Sequence, residues 1–497
     1  MVTRDTRYIS GRVSAQHLDE IPSTMELVKN ATSTFTSGWM EAGEGMQVKI
    51  NRKNFGRLYE NFPDAKGSGL TEGLAGKGMV VWGAGVVGKN SAENAKQLGM
   101  KLTFIDISDA ALTKAKDELG GETLKVSAKM IPEEKGKVLD LLSSENVDAL
   151  NIGVLVKGAA APRLLDKKDL REINRRRQEK ELKPLVIADA AIDQGGTIEG
   201  EKATTHDNPV AFIEGSPVCT VANIPGSRFT AAYASKMLQE ATIADLKRTI
   251  KAQAKGWDKA LAEDPLLATA INTMGGKITY PEVADEFSGQ PRGTVDEQVA
   301  SMEKPKDGKI KLVIPSPIKP YEHRVGLLPS GVKDISDWAK KEGIDLEIAV
   351  DVRLGEAIPK TPEMEEISTE AYKKAGGKVY DDRDELMGGD GYASHVYHFT
   401  KEPQGDELDN IRQGSAVHTY FHYTGFPEKL VKWAVDKKVT SVAFETREDE
   451  KGGLPTLAPM SHVDGRSNTL IIAAMLNPEI MEFRKKKDLL APSHQIL

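Results

Sequence analysis

Two α/β domains, each a doubly wound parallel sheet, with a cleft between them, are predicted by three features of the chain. Its 497 residues exceed what one core comfortably organises, since domains run to about 100–200 residues. Short continuous apolar runs, the pattern of strands covered by helices on both faces, recur in two separate blocks. Between the blocks lies FSGQPRGTVDEQVASMEKPKDGK, rich in Pro, Gly and charge and poor in large apolar residues, which reads as a linker over 286–308.

Residues 1–77 show no sustained strand pattern; a helix is expected around Ser23 to Thr34, and this extension has no assigned role. In the first block, apolar runs fall at Met79 to Trp82, Leu102 to Ile105, Ala149 to Val156 and Leu185 to Ala188, separated by helix-like stretches. They define a domain over 78–235. The stretch from Ala231 to about Ala284 is rich in Ala, Lys, Glu and Leu, so 236–285 is expected to be helical. After the linker, KIKLVIPSPI opens a second block that continues through Ile344 to Val350, Ser415 to Tyr423 and Thr440 to Phe444, giving a second domain over 309–480 and a tail over 481–497. The two blocks share a texture but no residues, so no internal repeat is read.

Composition narrows the function classes. Lys and Arg number 67 against 74 Asp and Glu, a net charge of −7, and no clustered basic face is present, so nucleic acid is not expected as a partner. The basic run Arg175 to Arg177 sits in KKDLREINRRRQEKELK and reads as part of a solvated insertion, not a phosphate clamp. The longest apolar runs, such as Leu470 to Leu476, fall far short of the roughly 20 residues that cross a bilayer. The start, MVTRDTRYIS, lacks the apolar run of a secretory signal, so a cytoplasmic protein without a membrane partner is expected. The single cysteine, Cys219 in SPVCTVANIP, reads as a buried, inert thiol.

The sharpest motif is MVVWGAGVVGKNSAENAKQLG, which places Gly83, Gly85 and Gly88, with Val86 and Val87 between, after an apolar strand and before a helix-forming run. The first glycine permits the tight turn, the second lets the backbone approach a pyrophosphate, and the third lets helix and strand pack closely. The pyrophosphate then sits on a helix N-terminus, where unpaired amides favour negative charge. The next apolar strand ends in Asp106, eighteen residues past Gly88. A carboxylate there accepts both ribose hydroxyls of NAD and repels the 2′-phosphate of NADP, and the following Ile107 and Ser108 offer no cation to reverse that preference. The first domain is therefore expected to be a Rossmann domain that binds NAD.

Further strings follow in order. IADAAIDQGGTIEG, TTHDNP and CTVANIPG, within 78–285, resemble alanine dehydrogenases; the related transhydrogenase hydride-carrying domains share the outline, but the IDQGG and VANIPG forms are closer to the dehydrogenase. After the linker, KPYEHRVGLLPSGV, FTKEP, HTYFHYTG, VAFET and LPTLAPMSHVDGR resemble that family's catalytic domain. In the family the catalytic domain comes first, so this chain is expected to be circularly permuted, a rearrangement that surface-exposed, neighbouring domain termini allow.

Residue chemistry supplies candidates for a reaction on an amino acid. Arg324, in YEHRVGL, has the guanidinium fork that holds a carboxylate bidentately. In VHTYFHYTG, strand alternation places Val417, Thr419 and Phe421 on one face and His418, Tyr420 and His422 on the other, and an imidazole titrating near pH 6.5 suits acid–base work. The four-residue spacing of His418 and His422 invites a zinc reading, but there is no HExxH and the β-branched, aromatic surroundings oppose a helix, so no metal is expected. The resemblance implies more. It makes Arg324 a ligand of the substrate carboxylate, Lys401 in FTKEP a ligand of the carboxylate or carbonyl oxygen, His422 the acid–base residue and His418 structural. It puts Asp193 near the nicotinamide as a catalytic aid, Asn223 between cofactor and substrate, Met460 on the substrate side, and Ser461, Val154 and Leu155 on the cofactor side, with Glu445 supporting the site. Three positions depart from the family pattern: His462 after the PMS serine, Phe399 before TKEP, and SRFTAAY after VANIPG.

The reading that follows is NAD-dependent oxidative deamination of a small L-amino acid: L-alanine, NAD and water giving pyruvate, ammonia and NADH. An opine- or saccharopine-type enzyme, joining a larger amine to a 2-oxo acid, is the alternative. A catalytically idle NAD-binding assembly protein is a third, disfavoured because Arg324, Lys401 and His422 are present together. A proton-pumping transhydrogenase subunit would require membrane partners that the chain does not encode. The family's hexamers and dimers imply a homo-oligomer.

Overall fold

The first apolar run, GMVVW, becomes the central strand of a seven-stranded sheet, every residue of it buried. The computed structural model describes residues 74–156, 160–205, 209–227, 230–354, 367–425 and 427–476; the helix expected around Ser23 to Thr34 and the tail over 481–497 lie outside them. Among these residues the chain divides into two units. The first takes those up to Val156, Ala160–Thr230 and those from Ser461 onward, and the second takes Ala231–Met460.

In the first unit, β1 (Gly78–Trp82), β2 (Lys101–Asp106), β3 (Glu122–Lys125), β4 (Ala149–Ile152), β5 (Val186–Asp189), β6 (Val210–Ile213) and β7 (Ser216–Cys219) lie in the order β3-β2-β1-β4-β5-β7-β6. All pairs are parallel except β6 with β7. That hairpin turns on Glu214 and Gly215, both at positive φ, as a two-residue loop between right-twisted strands requires. Adjacent residues of β1 feed opposite faces of the sheet. Val81 joins Phe104, Ala149 and Ala188 beneath the helix Val86–Gln97, while Val80 and Trp82 join Ile105, Leu150 and Ile187 beneath the helices Pro132–Leu142 and Lys167–Glu179. Cys219 lies buried in the first of these cores. Strand order reverses between β1 and β4, so the loops leaving those strands part in opposite directions.

The helix Lys167–Glu179 corrects the reading of a solvated insertion. It follows β4 and precedes β5, and buries Leu170, Ile173 and Arg177 at helical spacing. The three arginines are committed locally. Arg175 pairs with Glu172 and Glu179, Arg176 with Glu172 and Asp140, and buried Arg177 donates to the carbonyls of Val147 and Lys183 at 2.7 Å and of Leu142 at 3.1 Å.

The second unit begins with the helix Ala231–Lys255 and carries an eight-stranded sheet: β8 (Ile271–Met274), β9 (Lys277–Ile278), β10 (Ile310–Ile314), β11 (Leu346–Asp351), β12 (Lys378–Tyr380), β13 (Ser394–His398), β14 (Ala416–Thr419) and β15 (Thr440–Ala443). The order is β12-β11-β10-β13-β14-β15-β8-β9. From β12 to β15 all pairs are parallel, so the doubly wound topology of the first unit recurs without shared residues. The segment 236–285 is not helical throughout: β8 pairs antiparallel with β15 and turns into β9 through Gly275 and Gly276, both left-handed. Nor is 286–308 a bare linker. Its helix Val295–Ser301 is capped by Thr294, whose hydroxyl accepts from the Glu297 amide while Glu297 accepts from the Thr294 amide. The units also divide at Thr230 and Met460, not at 235 and 480, and the helix Ala458–Leu476 contributes Ile471 and Ile472 to the first unit's core.

Replacing Arg177 with Met leaves four main-chain carbonyls, those of Leu142, Ser144, Val147 and Lys183, without their cation. Because each buried acceptor left unpaired costs about 1–3 kcal/mol, Arg177→Met is expected to lower unfolding stability by on the order of 3 kcal/mol in urea titration; a change below the measurement error would contradict the assignment.

Candidate active site

In the first unit the loops after β1, β2, β4 and β5 form a cradle. Gly83 is left-handed at φ 99, and a Cβ on it would lie 2.7 Å from the Gly153 carbonyl oxygen; a Cβ on Gly88 would lie 1.9 Å from the Gly83 oxygen. Gly85 differs: a Cβ there meets nothing within 4 Å, so its hydrogen faces open space. Gly85 also stands at the N-cap of the helix Val86–Gln97, with no side-chain cap and no acidic residue in the first turn. An uncapped helix start beneath an open backbone suits a phosphate.

Asp106 shapes the same loop. Its Oδ2 accepts from the Ala84 amide at 2.7 Å and its Oδ1 from the Ser108 amide at 2.8 Å, and each carboxylate oxygen retains a further acceptor position for a hydroxyl. Val86, Ile107, Leu155 and Val156 are exposed apolar side chains in the loops after β1, β2 and β4, the kind of surface an aromatic heterocycle covers. Val154 packs against the core beside them, and Val87 sits against Gly153, where a Cβ would come within 3.0 Å of Cγ1.

The 3-10 turn Ala190–Gln194 after β5 carries Asp193. Buried Asp189 holds this turn by accepting from the Ala191 amide at 2.7 Å and from the Thr197 amide and hydroxyl at 3.0 and 2.6 Å. Burial raises both carboxyls of this pair, Glu201 to about 9 with the neighbouring Asp189 carboxylate adding to the rise, while the Thr197 and Ala191 donors oppose it at Asp189. Gln194 ties the turn to the loop after β4 through the amide and carbonyl of Val156. Asn223 follows β7 in the left-handed conformation at φ 61, which asparagine tolerates better than most residues. Ser461 enters on the helix Ala458–Leu476. Gly465 lies against the Val87 carbonyl and Thr469 bonds Ser91 at 2.8 Å, so steps of four along two helices running the same way put Ser461 a turn back, toward the glycine loop.

In the second unit, the residues after the parallel strands gather. Arg324 follows β10, Lys401 follows β13, His422 follows β14 and Glu445 follows β15. Arg324 is almost fully buried. Its Nε and Nη2 donate to Glu322 at 2.8 and 2.5 Å, its Nη1 faces the Met460 sulfur at 3.1 Å, and its guanidinium stands 5.9 Å from the Tyr420 ring centroid. Tyr420 in turn stacks on His422 with centroids 5.6 Å apart and donates its hydroxyl to the Thr456 carbonyl at 2.7 Å. Lys319 donates to Glu402 at 2.6 Å, joining the loop after β10 to the loop that carries Lys401.

Glu445 anchors the last corner. Its Oε1 accepts from the amides of Phe421 at 3.1 Å and His422 at 2.6 Å, holding His422 at φ 48. That left-handed residue breaks the strand alternation expected to run to His422, and β14 ends at Thr419. Burial pushes the Glu445 carboxyl up to about 7, against the opposing pull of those amides and of the nearby Lys401 charge. Arg324, Lys401, His422 and Met460 therefore belong to one cluster in the second unit, whereas Asp193, Asn223, Asp106, Ser461 and the glycines belong to the first.

Sequence reasoning did not single out Glu322 or Tyr420. Glu322 stands two residues before Arg324, a spacing that was visible but meaningless without the bend that folds the carboxylate back on the guanidinium. Phe399, one of the departures from the family pattern, is buried and stacks on Tyr397 at 6.4 Å. Among the described residues no group of three or more His, Cys, Asp or Glu is arranged to hold a metal, and no helix is long and apolar enough to cross a membrane.

The folded state binds the Glu445 proton more tightly than the unfolded chain, so its contribution to stability is complete below about pH 4.5 and is lost as pH rises through about 7. Glu445→Gln mimics the protonated form and keeps the acceptor for both amides. Urea unfolding at pH 5 and pH 8 should show the unaltered protein losing on the order of 2 kcal/mol more than the variant across this interval; identical pH slopes would refute a buried, proton-holding Glu445.

Comparison with known proteins places this geometry in a family. Residues 66–281 match the family model of the alanine dehydrogenase/PNT C-terminal domain, and residues 313–464 match that of the alanine dehydrogenase/PNT N-terminal domain. The alanine dehydrogenase of Halomonas elongata is 37% identical over 217 residues, 43% of this chain and 53% of that protein. Those of Methanococcus maripaludis and Bacillus subtilis are 34% and 32% identical over 210 and 215 residues, 41% and 42% of this chain and 50% of each relative. The chain spans about half the length of the curated relatives it matches. Because the two domain models together cover most of the chain, with the C-terminal model preceding the N-terminal one, the chain belongs to the alanine dehydrogenase/PNT family, with its domains in permuted order.

Proposed function

We propose that this protein is an NAD-dependent amino-acid dehydrogenase that oxidatively deaminates a small L-amino acid, L-alanine foremost, to the 2-oxo acid and ammonia. The observation that carries the proposal is the gathering of Arg324, Lys401, His422 and Glu445 at the ends of four parallel strands, in a chain whose other unit bears the glycine cradle and Asp106.

The Glu322 carboxylate fixes the Arg324 fork and offsets its charge, so the two form a rigid, nearly neutral donor pair. The net positive charge that attracts a substrate carboxylate then falls to Lys401, which is buried beside Glu445. His422, its backbone pinned by Glu445, takes up and returns the protons that imine hydrolysis moves. Gly83, Gly85 and Gly88 hold the pyrophosphate and Asp106 the adenosine ribose, with Asp193 and Asn223 on the nicotinamide side. NAD, once bound, supplies the hydride acceptor. Amino acid, NAD and water become 2-oxo acid, ammonium and NADH with release of one proton.

NADH formation across a panel of L-amino acids at alkaline pH tests the proposal. A small aliphatic amino acid should be oxidised with NAD strongly preferred over NADP, and Asp106→Ala should relax that preference. Equal turnover of the two cofactors by the unaltered protein would refute the role of Asp106, and absence of NADH with every amino acid would refute the function.

Lys401 and His422 should fail differently. Lys401→Ala is expected to raise KM for the amino acid as well as lower turnover. His422→Ala should lower kcat by about 10² to 10⁴, with NADH affinity retained in both when followed by fluorescence titration. Near-normal turnover by the His422 variant would contradict its assignment.

A further inference from the structure

Beneath the second unit's cluster lies a feature that the proposed chemistry does not use. His398, the last residue of β13, and His418, in β14, are both buried, with their Nδ1 atoms 3.0 Å apart. The Nε2 of His398 lies 2.9 Å from the carbonyl oxygen of Gly326, two residues beyond Arg324. We propose that His398 and His418 are positioning residues: a hydrogen-bonded pair that cross-ties the three strand-end segments carrying Arg324, Lys401 and His422 and so sets the geometry of substrate binding. The proposal rests on the amino-acid dehydrogenase reading.

The hydrogen positions follow from elimination. A carbonyl oxygen only accepts, so His398 carries its proton on Nε2 and donates to Gly326. Burial keeps this imidazole neutral, its pKa pushed down to about 4, and burial, with the neighbouring His398, also holds that of His418 well below its usual value. The Nδ1 of neutral His398 is then a lone pair, and the neighbouring Nδ1 of His418 must bear the hydrogen. A chain of two directional bonds results, from His418 to His398 to the Gly326 carbonyl. It links His418 in β14, four residues before His422, to the end of β13, three residues before Lys401, and onward to the Arg324 segment.

The surroundings hold this chain in place. Phe444 and His418 meet at right angles with centroids 4.6 Å apart, and Phe444 also contacts His398 and Tyr420. Gly326 admits the His398 ring, since a Cβ there would come within 2.9 Å of Cδ2. The Arg324 segment is tied on its other side to the helix Ala231–Lys255, where the Val325 amide donates to Ser235 at 2.9 Å and the Leu328 amide to Gln239 at 2.8 Å. Two apolar side chains would fill the same space without desolvating three polar groups; what they would lack is direction.

The test combines a spectrum with kinetics. In 15N-histidine-labelled protein at neutral pH, His398 should appear as the Nε2–H tautomer and His418 as the Nδ1–H tautomer, with coupling between the two Nδ1 nuclei. His418→Phe keeps an aromatic ring but removes the donor. It should raise KM for the amino acid about tenfold, the size of one lost hydrogen bond, with kcat and NADH affinity little changed. His418→Asn, whose side-chain amide can occupy the Nδ1 position, should restore KM toward that of the unaltered protein. The opposite tautomers, a protonated ring at neutral pH, or a KM for His418→Phe within twofold of normal would overturn the proposal. If His418→Phe does not fold, the spectrum of the unaltered protein and the KM of His418→Asn still decide it. An unaltered protein that oxidises no amino acid would refute the function instead, and the tautomers, with calorimetric titration of pyruvate into the His418 variants, would judge the pair separately.

Discussion

Each sheet is wound outward from a central strand, β1 in one unit and β10 in the other, and this constraint determines where chemistry can occur. Parallel strands all end on one edge, and where the winding reverses, the loops diverge and leave an opening that packed helices cannot fill. In the first unit the opening lies after β1 and β4, where Gly83, Gly85, Gly88 and the exposed Leu155 and Val156 are found. In the second it lies after β10 and β13, where Arg324 and Lys401 are found. Domain order does not enter this argument, because each unit owns its sheet and its opening, which is why a permuted chain retains both.

The second constraint is electrostatic. Charges removed from water cost several kcal/mol each unless they are paired and hydrogen-bonded. The buried groups answer this in different ways. Arg324 meets Glu322 in a two-pronged bond, Asp189 accepts from two amides and a hydroxyl beside a Glu201 raised to about 9, and Glu445 is raised to about 7 by burial while serving two amides. Each fixes a part of the candidate site: Arg324 itself, the Asp193 turn, and the His422 backbone. Rigidity of this kind is what orientation of a small substrate requires, since a misplacement of about 1 Å can cost a hundredfold in rate.

How much of this was legible in the sequence depended on how local each requirement is. The glycine cradle was readable because the need for glycine arises within six residues: Gly88 must pass Gly83, and no other side chain fits. The strands with unbroken apolar runs were readable for the same reason. β3, ETLK, and β8, INTM, were not, because an edge strand and a hydrogen-bonded polar strand carry no such run. Arg177 was misread with its neighbours because one arginine in a row of three points inward only once the helix phase is known. Arg324, Lys401 and His422 were identified through family resemblance, but their supports were not. Glu322 requires a bend, Glu201 requires Asp189 twelve residues away, and the His398–His418 pair requires two strands to lie in register.

Oxidative deamination as proposed requires that hydride leave the substrate α-carbon for the nicotinamide ring. The most direct test incubates the protein with L-alanine deuterated at C2 and NAD and analyses the reduced nucleotide by mass spectrometry and proton NMR. One deuterium is expected at C4 of the nicotinamide, on one face only, with a primary isotope effect on single-turnover reduction. Reduced nucleotide without deuterium, with the label released to water, would contradict it.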